Sequence, residues 1–250
     1  MSTAATKDGV APDGAWPDGP PAGQTSLRVA TLNVHYLDIR EATAEDDRPT
    51  VTRWHPRDRA VVTVLREADA DIVAFQEMET FAGGHANREN VQHATLADAF
   101  PEYAFGATGD PDEFPNTQPV MYRRDRFSPH EQGFFFYSPQ PDAIYSSPWY
   151  GRFPAFASWV RLRDRRDGRS YLVVNVHIDR ERYRNKILSA RLTARRIAEI
   201  RRPGDTVIVL GDFNSLRWSR VVRIVAAGAG LKVAPGDGAT FHFYRGVHLF

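Results

Sequence analysis

From Leu27 onward the chain is built of short apolar blocks whose period switches between two and about 3.6 residues. LRVATLNV predicts a strand, and between Pro56 and Asp71 the residues Val61, Val64, Leu65 and Ala68 recur at helical spacing. DIVAFQE predicts a second strand, and Arg88–Phe100 a helix closed by Pro101. PVMYRR, RFSPHEQGFFFY, AFASWVRLRD and SYLVVNVH predict four more strands, the last two joined by a turn at Asp167-Gly168. A helix follows over Arg182–Arg201, where Ile187, Ala190, Ala194 and Ile197 make one apolar stripe. TVIVLGDFN predicts a further strand and Leu216–Ala227 a short helix. The mixture is α/β or α+β, and the consecutive hairpin strands argue against a purely parallel doubly wound sheet. Residues 1–26, rich in Pro, Gly, Ala and Asp and without periodicity, predict a disordered tail. The domain is expected over 27–250.

Four of the apolar strands end in residues able to bind metal or move protons. The first ends at Asn33 and His35, the second at Glu77, a third at Asn175, His177 and Asp179, and the fourth at Asp212 and Asn214. Strand bodies bury and strand ends open toward solvent, so such groups converge in one cleft. Side chains alternate faces, which puts Asn175 and His177 on one side, and likewise Asp212 with Asn214 if the strand stays extended. Singly, each has an ordinary role: Asn33 or Asp212 in a turn, Glu77 on the surface, His177 as a structural histidine. Their order and shared position point to chemistry.

The set suits phosphoryl chemistry. A phosphate ester is anionic and repels hydroxide, and a hard divalent cation held by carboxylate and amide oxygens offsets the charge. An amide donor and a histidine stabilise charge on the phosphate oxygens, and a carboxylate orients water or takes its proton. There is no cysteine, which excludes disulfides, thiol nucleophiles, thiolate zinc sites and iron–sulfur clusters. No G-x-S-x-G elbow, G-x-x-x-x-G-K loop or H-E-x-x-H motif occurs.

In TLNVH, FQEME, NTQPVMYRRDRF, SWVRLRD leading into VVNVHID, and VLGDFN, taken in this order, the sequence resembles the endonuclease/exonuclease/phosphatase superfamily of metal-dependent phosphoesterases. The resemblance spans roughly residues 27–250. It implies a four-layer α/β sandwich, deoxyribonuclease I-like, of two stacked mixed sheets flanked by helices. It implies Mg²⁺ or Mn²⁺ held by Asn33 and Glu77, with Glu77 the principal ligand. His177 would contact the scissile phosphate, Asp212 orient or deprotonate the nucleophile, and Asn214 support it. Arg152 and Asn175 would bind substrate, and Asp179 would be a supporting partner or turn residue.

The family pattern continues with a strand bearing an Asp motif and then an Asp-His pair, and no Asp-His dipeptide occurs in this sequence. His242 and His248 do not stand in that motif. The expectation is therefore a C-terminally truncated chain, poorly soluble and nearly inactive, whose extended version would be neither.

Formal net charge is +1, so no global basic field is present. Locally, Lys and Arg number 15 over residues 151–204 against 5 Asp and Glu, a surplus of +10 that is either a polyanion-facing side or the solvated face of the 182–201 helix. Residues 134–159 are dense in aromatics, read chiefly as core with base stacking or lipid contact as further roles. The sequence shows no signal peptide and no stretch near the roughly 18 apolar residues of a membrane span. A cytoplasmic monomer without integral membrane association is expected. The leading reading is hydrolysis of phosphodiester or phosphomonoester bonds, with nucleic acid the favoured substrate class. Alternatives are a phospholipid or sugar-phosphate phosphoesterase with the same centre, and a non-catalytic binding module of the same fold.

Overall fold

Strands β1 (Val29–Asn33) and β2 (Ile72–Gln76) lie parallel, joined by helix α1 (Val51–Ala68), and their ends Asn33 and Gln76 are register partners. A computed structural model describes residues 26–36, 51–78 (backbone alone for 51–56), 90–151 and 153–235. The expected 1–26 tail, Arg152, His242 and His248 fall outside those residues, apart from Ser26. After β2 come α2 (Val91–Ala99), β3 (Tyr103–Gly106), β4 (Val120–Arg123), β5 (Phe127–Phe136), β6 (Phe156–Asp164), β7 (Ser170–His177), α3 (Tyr183–Ile200), β8 (Asp205–Asp212) and α4 (Arg220–Ala229). All lie in the compact unit Arg28–Leu231.

Two mixed four-stranded sheets result, ordered β1-β2-β4-β3 and β5-β6-β7-β8. The second is a meander of long antiparallel strands until β8 adds in parallel to β7 through α3. Alternation explains the layers. On β7, Leu172, Val174 and Val176 pack with Ala190 and Ile197 of α3 and Val221 and Val225 of α4. On β2, Val73 and Phe75 pack with Leu65 of α1 and Leu96 of α2. The opposite faces of both sheets meet each other, giving an α/β sandwich with helices outside. Phe135, Phe136 and Trp159 pack in the core or against it, as expected of most of the aromatic-dense stretch.

The inter-sheet seam is partly polar. Gln76 Nε2 donates to Asn175 Oδ1 at 2.7 Å, and Asn175 Nδ2 donates to the carbonyls of Phe75 at 2.7 Å and Gln118 at 3.1 Å. Ser158 Oγ and Gln118 Nε2 complete the set on backbone carbonyls. Buried amides are tolerated when their donors are matched, and these tie the two sheets in one register. Away from this seam, buried Arg126 bridges Asp71 and Asp164, each at 2.8 Å.

Most predicted elements appear within a few residues of their expected ends. The last helix begins at Arg220 rather than Leu216, because the loop from Phe213 to Ser219 carries its own turns and Ser219 accepts the Val222 N–H as its cap. Strand β3 was not expected from the sequence. Four residues of YAFG are too short to show a period, and only pairing with β4 makes them a strand.

Candidate active site

The ends of β1, β2, β7 and β8 come together at one edge of the sandwich. Parallel pairing brings Asn33 beside Gln76, so Glu77 is the first residue to leave that sheet. In the other sheet His177 and Asp212 are register partners at the shared end of β7 and β8. Asn33 Nδ2 then spans the gap between sheets, donating to Glu77 Oε1 at 2.8 Å and Asp212 Oδ2 at 3.3 Å. His177 Nε2 lies 3.6 Å from Glu77 Oε1. Four of the residues singled out in the sequence thus share one cleft, each only partly buried.

The backbone is specialised here. His35, Glu77 and Asn214 have φ of 63°, 56° and 45°, left-handed values that cost a non-glycine residue of order 1 kcal/mol. Each sits just past a strand end, where the chain must turn and still aim a side chain into the cleft. Gly211, with φ 126°, is a different case: a Cβ there would run into the Val176 carbonyl oxygen, so only glycine permits β8 to lie so close to β7.

Asn214 departs from the expected geometry. Extension ends at Asp212, so the two do not share a strand face. Instead Asn214 N donates to Asp212 Oδ1 at 2.7 Å, and its side-chain amide donates to the Ile178 carbonyl at 2.9 Å. Asn214 fixes the Asp212 carboxylate from the backbone side.

Asn175 is a correction. It was expected to meet substrate, yet its side chain is 0% exposed and its amide is spent on Gln76 and backbone carbonyls. It does share a face with His177, but that face points into the seam between sheets, and only at His177 has the seam opened to solvent. Asp179 is a turn residue: Oδ1 accepts from Glu181 N and Arg182 N, and Oδ2 from Asn185 Nδ2.

Two contributors were not read from the sequence. Lys186, one turn into α3, donates from Nζ to the Asn214 carbonyl at 2.5 Å, and burial lowers its pKa against the opposing pull of Asp179 and Asp212. It is one of three lysines in a chain with 29 arginines, a signal available only once the helix is known to pass the cleft. Tyr36 is the other. Burial first, and the nearby Glu77 charge second, push its hydroxyl pKa well above the ordinary tyrosine value, so it stays neutral. Arg57 and Gln92 brace the turn after β1 through the His35 carbonyl, at 3.3 Å and 3.2 Å.

The donor set suits a hard divalent cation. Glu77 and Asp212 are two carboxylates drawn to a common amide, with no arginine pairing either among the described residues. No three His, Asp or Glu side chains close a metal site by themselves among those residues, so water or substrate would supply the remaining positions. Asn33 Oδ1 accepts from His35 N at 2.9 Å, so in this arrangement its amide nitrogen faces the carboxylates.

Residues 30–248 match the profile of the Endonuclease/Exonuclease/phosphatase family. Among solved structures, a mannosyl-6-phosphatase of Bacteroides thetaiotaomicron is 24% identical with a TM-score of 0.65, covering 81% of this chain and 70% of that one. An endonuclease/exonuclease/phosphatase from Bacteroides vulgatus is 25% identical with a TM-score of 0.64, covering 82% and 72%. D. rerio TDP2 complexed with a single-strand DNA product is 16% identical with a TM-score of 0.53, covering 84% and 66%. Comparison with curated proteins gives no match. The profile covers most of the chain and includes every strand end that forms the cleft: the chain belongs to the endonuclease/exonuclease/phosphatase family.

Proposed function

We propose that this protein is a divalent-cation-dependent hydrolase of phosphodiester or phosphomonoester bonds, with Mg²⁺ or Mn²⁺ as cofactor and nucleic acid as the favoured substrate class. The observation that carries this reading is the meeting of Glu77, Asp212, Asn33 and His177 across the two sheets. Glu77 is the principal candidate to hold the cation, with the Asn33 oxygen joining it if the amide turns over. A bound cation would offset the charge of the phosphate ester.

The chain's own groups supply the rest. Asp212, held by the Asn33 amide and the Asn214 N–H, is placed to orient a water and take its proton. His177 is placed to donate to a phosphate oxygen as charge builds there. Asn214, with its own amide on the Ile178 carbonyl, keeps the Asp212 carboxylate from turning away. Lys186 adds a positive charge behind the same loop.

Two measurements test the reading together. Mn²⁺ binding followed by electron paramagnetic resonance should be weakened strongly by Glu77→Gln. Hydrolysis of bis(p-nitrophenyl) phosphate should depend on added Mg²⁺ or Mn²⁺ and fall with the same substitution. Equal Mn²⁺ affinity in the wild type and Glu77→Gln would sink the proposed centre. A panel of oligonucleotide, sugar phosphate and phospholipid separates the substrate classes.

A further inference from the structure

Eight large apolar side chains are exposed among the described residues, and five of them belong to three segments that meet at the start of α3. Phe153 is 80% exposed, Trp218 71%, Tyr183 60% and Leu216 45%, with Tyr150 the fifth. Hydrogen bonds fix the meeting. Asn185 Nδ2 donates to the Tyr150 carbonyl at 2.6 Å, which holds the loop at Tyr150 on the helix. A Cβ at Gly151 would lie 3.2 Å from Arg182 Nε. Lys186 Nζ holds the 213–219 loop from the same helix turn through Asn214. The rim so formed therefore borders the cleft that contains Asp212.

Cations interleave with these rings. Arg180, Arg182, Arg184 and Arg220 are exposed and pair with no carboxylate among the described residues. The Arg184 guanidinium stacks 4.8 Å from the Tyr150 ring centroid. The first turn of α3 has no acidic residue, and the Asp179 carboxylate just ahead of it is taken up by the Glu181 and Arg182 N–H groups and the Asn185 amide.

We infer that this rim is a binding track for a single-stranded polynucleotide, leading the strand into the cleft; the inference rests on the phosphoesterase reading for what happens to the strand there. Arginine binds phosphate oxygens bidentately, and exposed rings offer flat faces on which unpaired bases stack. A duplex hides its base faces, so it gains the charge contacts without the stacking. An anionic membrane would also attract the arginines. It is disfavoured because Arg182 and Arg184 flank Tyr183 and Arg217 stands between Leu216 and Trp218, so entry of these rings into the acyl region would strip the hydration of several charges.

The test is fluorescence anisotropy with a labelled 15-nucleotide oligothymidylate in EDTA, where no hydrolysis intervenes. Wild type should bind the single strand more tightly than a duplex of equal length. Trp218→Ala and Phe153→Ala should each weaken binding about tenfold. Arg184→Ser should lower the slope of log affinity against log salt by about 0.7, the value for one phosphate contact on a single strand. Arg201→Ser, at the other end of α3, should bind as wild type. Unchanged melting temperatures show that each variant is folded. Absence of oligonucleotide binding by wild type, unchanged binding by Trp218→Ala and Phe153→Ala, or sedimentation with phosphatidylserine vesicles in place of oligonucleotide binding would each overturn the track. Hydrolysis of bis(p-nitrophenyl) phosphate without oligonucleotide binding overturns the track and leaves the hydrolase standing. Oligonucleotide binding without any metal-dependent hydrolysis does the reverse.

Discussion

The side-chain amide of Asn33 donates to Glu77 Oε1 at 2.8 Å, although the two residues lie 44 positions apart in the chain. One hydrogen bond thus joins the end of β1 to the turn after β2, and the same nitrogen reaches Asp212 in the other sheet. Replacing Glu77 by Gln keeps the shape but removes the charge. The expected outcome is a loss of Mn²⁺ affinity of about tenfold or more, with the circular dichroism spectrum and melting temperature little changed. Calorimetric titration of wild type and variant with Mn²⁺ measures it.

Asp212→Asn should lower kcat by roughly 10²–10⁴ with a modest change in KM, as for a group that positions or deprotonates the nucleophile. Steady-state kinetics on a nitrophenyl phosphodiester checks this. An unchanged kcat removes Asp212 from the mechanism.

Lys186→Met frees the Asn214 carbonyl and lets the turn that holds Asp212 relax. The expected result is a fall in kcat of about tenfold, since small misplacements of a reacting group are costly. Lys186→Arg, which keeps a donor and a charge, should recover part of it. If both variants match wild type in kcat, the contact is packing alone.

Asn175→Ala removes a hydrogen bond from each of the Phe75 carbonyl, the Gln118 carbonyl and the Gln76 amide, while Gln118 keeps Ser158 Oγ and Gln76 keeps Thr31 Oγ1. A cost of about 2–4 kcal/mol follows from the lost buried hydrogen bonds together with the space left. Urea unfolding measures it. Weaker substrate binding at unchanged stability would instead restore the substrate contact expected from the sequence.

Burial holds the His93 imidazole below its ordinary pKa of 6.5, with its ring 4.2 Å from Phe105. The unfolded chain takes up a proton near pH 6.5 that the folded chain refuses. Stability is therefore full above that pH and declines as pH falls from 6.5 toward the depressed folded value. His93→Leu should flatten this component of the pH dependence, read as the change in urea midpoint between pH 7 and pH 5.

By itself the sequence determined the family and every strand and helix except β3, because these reside in local order. Periods of two and 3.6 along TLNV, VVNVH or the Ile187–Ile197 stripe are set by neighbours in the chain, and so are the motifs at strand ends. It also named Glu77, His177 and Asp212, since polar groups at the ends of apolar strands have few other reasons to recur. Tertiary structure decided what each does. Asn175 and His177 lie on the same face of one strand two residues apart, and whether that face meets the other sheet or solvent depends on where the seam between the sheets ends. Asn214 left its strand because Asn214 N closes a turn on Asp212, which alternation alone does not foresee. Lys186 and the exposed rings of Tyr183 and Trp218 gained their places only when α3 and the loop after β8 met. Those relations depend on pairings between residues far apart in sequence, and such pairings carry no period for a reader of the chain to detect.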